Sequence, residues 1–227
     1  MTTMKDSTQN GFTLVEIAIV LVIIGLLLGG ILKGQEMITQ AKIKNVIADM
    51  SGVSAAMYGY QERYRALPGD DKGAKDRWST GVDVADPGNG VISGTYLAAS
   101  PAETAEFWRH LRLAGFVAGS GADQPFNAVS GRMGVQTGDG TGATPGAVLN
   151  TAGATPIPGI STLIMCSANL PDKIAISVDA QMDDGDALRG SVRAIKQAIP
   201  NDTIDAGETA DAYTEDGVST YVVCRQM

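Results

Sequence analysis

One carboxylate in this 227-residue chain stands where physical chemistry opposes it. Residues 12–32 form a single apolar run of 21 residues carrying one charge, Glu16. As a helix rising about 1.5 Å per residue, the run spans roughly 31 Å, the thickness of a bilayer core. Glu16 lies a turn inside the apolar end, where a carboxylate costs several kcal/mol in lipid unless a partner meets it. Nothing else inside the run supplies that partner. The chemistry implied is the neutralisation of a buried charge from outside the run.

The residues Gly11-Phe12-Thr13-Leu14-Val15-Glu16, with the apolar run behind them, resemble the N-terminus of bacterial type IV prepilins and type II secretion pseudopilins. The resemblance implies that a membrane peptidase cuts between Gly11 and Phe12 and that the new terminus, Phe12, is N-methylated. It also implies that Glu16 pairs with the Phe12 amine of a neighbouring subunit during assembly. That supplies the missing cation, and a buried carboxylate is tolerable when a cation meets it. A plain signal anchor explains the run but gives no reason for the acid. A cleaved secretory signal needs a shorter core with a small-residue site after it.

The resemblance names partners as well: the prepilin peptidase/methyltransferase, an inner-membrane assembly platform, and other pilin subunits in a homo- or hetero-polymer. It implies a single inner-membrane span with the globular domain in the periplasm, then an extracellular pilus or a periplasmic pseudopilus. The leader carries only Lys5 and Asp6, while Lys33, Lys42 and Lys44 follow the run closely. Counting basic residues therefore does not orient the span, and the orientation comes from the resemblance alone.

The elements that must position these residues are legible in part. Ile43, Val46, Ile47, Met50, Val53, Met57, Tyr60 and Tyr64 recur every three or four residues, which predicts an amphipathic half-helix laid on a sheet. Leu67-Pro68-Gly69-Asp70 should end it. The expected organisation is a leader at 1–11, a helix at 12–66 (membrane or filament core at 12–32, amphipathic at 33–66) and a globular domain at 67–227. The fold class expected is α+β: a long N-terminal helix packed on an antiparallel sheet domain with a C-terminal disulfide. Gly25, Gly29, Gly30 and Gly34 punctuate the helix, either to let helices approach closely or to loosen the helix on assembly; packing is the preferred reading.

Past the helix, residues 64–78 and 86–90 read as turns. Ser100, Pro101 and Glu103 read as a capping box opening a helix that buries Phe107, Trp108, Leu111 and Ala114 and stops at Gly115. The phrase YxALPGD…GNG…E-x-FW-x-HL-x-LAG, Tyr64 through Gly115 here, is similar to a set of prepilin-like proteins. Residues 119–159 hold ten glycines and few apolar anchors, so an extended loop or a pair of weak strands is expected. Strands are expected at 160–166, 190–195 and 219–224; between Pro171 and Gly185, Ile174, Ile176 and Val178 alternate as in a strand while Ile174, Val178 and Met182 fit a helix, and the Pro-Asp start favours the helix.

Cys166 and Cys224 are the only cysteines. In an exported domain, which the resemblance implies, an even count reads as a disulfide; two free buried thiols are the alternative. Asp179, Asp183, Asp184 and Asp186 around Gly185 resemble a calcium loop in composition but lack the EF-hand spacing and its terminal Glu. A solvated acidic turn is the preferred reading over calcium, and no other cofactor is expected. Asp86 and Asn89 are weaker candidates for the same ion. His110, the only histidine, has no metal-binding companion and is expected at the surface or half-buried on its helix.

No nucleophile, P-loop or dinucleotide motif is present, so no enzyme is expected. The formal charge is −8, with 20 acidic against 11 basic residues beyond position 65; such a domain repels nucleic acid. The function expected is a structural subunit of a type IV pilus. The alternatives are a type II secretion pseudopilin and a minor tip subunit whose 119–159 loop binds a surface.

Overall fold

The computed structural model describes residues 13–79, 87–137, 149–151, 159–205 and 208–227. The chain divides into two compact units, one ending at Ala41 and one beginning at Lys42. The helix α1, Leu14–Tyr64, contributes to both.

In the first unit, residues 14–33 of α1 are all exposed. Leu14, Leu26 and Leu32 are among the most exposed. A soluble helix would bury this surface, so its exposure marks a face made for lipid or for other helices. By length and composition α1 can cross a membrane.

In the second unit the expected stripe is the core. Ile43, Val46, Met50, Val53, Met57 and Tyr60 are buried, with Ile47 and Tyr64 packed at the margin. They meet a four-stranded antiparallel sheet of order β1-β2-β4-β3: β1 Met133–Thr137, β2 Leu163–Pro171, β3 Val192–Lys196 and β4 Thr220–Gln226. Alternation along the strands sends Met133, Val135, Met165, Val192, Tyr221 and Val223 to the α1 side, where α4 (Asp172–Met182) also packs. Ile164, Cys166, Ala168, Val222 and Cys224 point the other way, under Tyr96, Leu149, Ile160, Ile204 and Ala210. Both faces are therefore dry.

Three expectations need correction. The sequence placed a loop or weak strands at 119–159, but Met133–Thr137 is a fully buried edge strand paired with β2. Its glycine hid it: a Cβ on Gly134 would sit 2.0 Å from the Tyr96 carbonyl oxygen, a close approach that only glycine allows. Residues 138–148 and 152–158 of that segment lie outside the described residues. The strand expected at 160–166 starts and ends later, at Leu163 and Pro171. Ser167 pairs with both Met133 and Val223, and past a register shift Leu170 and Pro171 rejoin β4, so the strand runs on beyond Cys166.

The capping box at Ser100 does not form. α3 is Glu103–Leu113, with Ala102 at its N-cap and no side-chain cap. Ser100 donates instead to Glu106 at 2.9 Å, and Glu103 accepts from the Ser93 amide and hydroxyl at 2.7 and 2.8 Å. Both glutamates are buried, so each needs an internal donor more than the helix end does. The other end closes as expected. Gly115 adopts φ +80°, its N–H meets the Arg112 carbonyl, and the Phe116 N–H meets Leu111, the paired bonds of a Schellman stop. A short helix not foreseen, α2, spans Ala74–Arg77.

Candidate functional site

Thr13 and Glu16 close the described N-terminus on themselves. The Thr13 N–H and hydroxyl donate to Glu16 Oε2 at 2.8 and 2.9 Å. The Glu16 N–H donates back to Thr13 Oγ1 at 3.3 Å, and Thr13 O accepts from the Ile17 N–H. This reciprocal pair is a capping box one turn long. It corrects the view that the run offers Glu16 nothing. Thr13 gives it hydrogen bonds, though no countercharge, and fixes the carboxylate at the mouth of the helix. Gly11 and Phe12 lie outside the described residues. Downstream, a Cβ on Gly25, Gly29, Gly30 or Gly34 would meet nothing within 4 Å, so these glycines answer to no packing among the described residues.

Residues 6–32 match the family model for the prokaryotic N-terminal methylation motif. The chain carries the prepilin-type motif of type IV pilins and pseudopilins. No curated protein and no solved structure matches it. The motif implies processing by prepilin peptidase and polymerisation with pilin subunits, and the apolar helix fits a membrane-anchored pilin before assembly. The long helix, antiparallel sheet and disulfide make this motif-bearing chain α+β and pilin-like.

The disulfide joins Cys166 to Cys224, residues directly opposite in the β2–β4 register. Both sulfurs sit in the second, fully covered face. The bridge therefore locks the last strand onto the centre of the sheet.

The acidic turn gathers three of its four aspartates. Asp179, Asp183 and Asp184 each bring one carboxylate oxygen within 4.8 Å of the others, whereas Asp186 accepts from Leu188 N–H and pairs with Arg189. The oxygens already work within the chain. Asp179 accepts from the Tyr213 hydroxyl at 2.9 Å and the Gly185 amide at 3.2 Å; Asp183 accepts from Ser191 and Val192 amides, and Asp184 from the Asp186 amide. Burial pushes the Asp179 carboxyl up to about 6, against these bonds. Asp86 lies outside the described residues, and Asn89 accepts from the Val91 amide.

His110 is not a surface residue; it is 1 % exposed. Eight of the eleven residues of α3 are buried, His110 among them. Its Nδ1 accepts from the Gly69 N–H at 2.9 Å, and its ring stacks on Tyr60 at 6.2 Å between centroids. Burial drives its pKa down to about 4, so it is neutral at pH 7.

Two further groups escaped sequence reasoning. Asp70 receives the amide N–H groups of Gly88, Asn89 and Gly90. Asp71 receives the Tyr60 hydroxyl at 2.6 Å, the Gly73 N–H and the Arg77 guanidinium. LPGD, GNG and FWxHL of the phrase meet in the fold: Asp70 holds the GNG amides and Gly69 donates to His110. Gly69 holds the crossing point, with φ +90° and room for no side chain; a Cβ there would lie 2.5 Å from the Glu103 carbonyl oxygen. Gly69→Ala is expected to destabilise the domain by roughly 3 kcal/mol, measured as a lower urea midpoint. An unchanged midpoint would show that the crossing tolerates a shift.

Asp179 and His110 give opposite pH slopes. The folded Asp179 holds its proton to about pH 6, whereas an unfolded aspartate releases it near 3.9, so its stabilising share is lost as pH rises through that window. The folded His110 refuses a proton down to about pH 4 while the unfolded imidazole takes one near 6.5, so its share is lost as pH falls. Asp179→Asn should remove the first slope and leave a domain whose stability rises with pH between about 4 and 6.5. Parallel curves for variant and wild type in denaturation at several pH values would contradict this.

Proposed function

We propose that this chain is a structural subunit of a type IV pilus. It is cleaved after Gly11, N-methylated at Phe12 and polymerised through the N-terminal helix, with Glu16 neutralising the amine of the neighbouring Phe12. The observation that carries this reading is the methylation motif at 6–32, which runs into a helix whose first twenty residues bury nothing. A surface of that kind is stable only in lipid or against like helices. Nothing in the reading calls for catalysis. The domain starts in the periplasm on an inner-membrane anchor and ends in an extracellular filament. A pseudopilin of a type II secretion system would use the same helix in a short periplasmic polymer, and a minor tip subunit would add binding through 119–159.

Fractionation separates these. A pilus subunit is recovered in material sheared from the cell surface and is seen there in filaments. Recovery of the processed chain in membranes alone would favour the pseudopilin. The acidic turn is proposed as a structural turn; a melting temperature raised by calcium and no longer raised in an Asp183→Asn, Asp184→Asn variant would instead make it an ion site.

A further inference from the structure

The phrase from Tyr64 to Gly115 leaves a cleft of about 690 Å³ beside the crossing at Gly69, within the range of small-ligand sites. Its wall carries three cations, Arg65, Lys72 and Arg77, and two carboxylates, Asp70 and Asp71. The carboxylates are committed inward. Asp70 is filled by three backbone amides, and Asp71 by Tyr60, Gly73 and Arg77. Arg77 is fixed as well, lying 4.5 Å over the Tyr64 ring and 5.0 Å over Trp78. What the cleft still offers is donors. Lys72 Nζ has no partner among the described residues. Among the described residues the Arg65 guanidinium pairs with Glu62, at 3.3 Å and with both side chains more than three-quarters exposed, a pair worth little in water. Gln61, Tyr64, Ala66 and Leu67 line it as well.

A rigid, donor-rich, net positive recess is unusual on a domain with a large acidic excess, and cations gathered in a recess concentrate anions there. We propose that this cleft binds a small soluble oxyanion, a carboxylate or phosphate group, held by Lys72 and Arg65 against the frame that Asp70, Asp71 and Arg77 make rigid. The proposal is independent of pilus or pseudopilus. It gives the subunit a binding activity apart from the 119–159 loop.

Detergent-solubilised full-length protein titrated calorimetrically at low salt with inorganic phosphate, and separately with citrate, tests it. Saturable one-site binding of either anion is expected, phosphate assigning a phosphoryl ligand and citrate a carboxylate one. Lys72→Gln and Arg65→Gln should each weaken it at least tenfold, since neither side chain supports the fold. Lys173→Gln makes the same charge change elsewhere and should leave binding intact. The absence of saturation with both anions, or equal losses in all three variants, would overturn the proposal.

Discussion

Glu16→Ala should yield a subunit that is cut after Gly11 yet enters no filament. On the proposed reading cleavage falls at the Gly11–Phe12 bond, four residues before Glu16, and the substitution leaves that bond unchanged. Assembly differs, because a Phe12 amine brought into the apolar core would find no carboxylate. Removing one member of a buried ion pair costs about 3–5 kcal/mol, a loss of over a hundredfold at every subunit added. The capping box divides this effect into parts. Glu16 also accepts the Thr13 N–H, and losing a cap costs only about 1 kcal/mol. Glu16→Gln keeps a side chain that serves at N3 of a capping box but carries no charge. The pairing account expects Gln to fail like Ala, with processed subunits held in the membrane. Filaments at normal yield from Glu16→Gln would assign the residue to the cap, and normal yield from Ala would end its role in assembly.

Loss of the disulfide is the second large effect. The bridge closes a loop between residues 58 apart, and the chain-entropy relation gives about 4 kcal/mol for it. The loop contains most of β2, all of α4 and β3, and most of β4, so it takes in three of the four strands, the central pair β2 and β4 included. A domain of this size has only about 5–15 kcal/mol in all. The Cys166→Ala, Cys224→Ala variant should therefore unfold at a much lower denaturant concentration, and cells should hold less of it. Buried sulfurs also make the native bridge slow to reduce, so wild type under reductant should lose stability only as fast as it opens. Matching midpoints for variant and wild type would show that packing on the second face holds β4 without the bridge.

How much could be read beforehand followed from how local the cause was. The anchor, the stripe from Ile43 to Tyr60 and the Gly115 stop are set by spacing along one helix, so they were legible. The cysteine pair was legible as a pair, while its position in the β2–β4 register was not. His110 and β1 failed for the opposite reason: their states are decided by partners far along the chain. His110 is buried against Tyr60, 50 positions earlier, and the Gly69 N–H, 41 positions earlier, meets its ring nitrogen. Met133–Thr137 is a strand because β2 offers an edge, and its Gly134 is set by Tyr96 crossing close by. Glu103 looked like half of a capping box and serves Ser93 instead, since burial of α3 outweighed the local rule. The Asp70 clamp was written in two short motifs, yet only the fold shows that one holds the other.

The central claim is that this chain is matured as a prepilin, and the mass of its N-terminal peptide tests that most directly. In cells with an active prepilin peptidase, the account expects the mature protein to begin at Phe12, carrying one added methyl group on the amine. A chain that keeps Met1 and the intact Gly11–Phe12 bond in those cells would contradict it, and the apolar helix would then be an ordinary anchor.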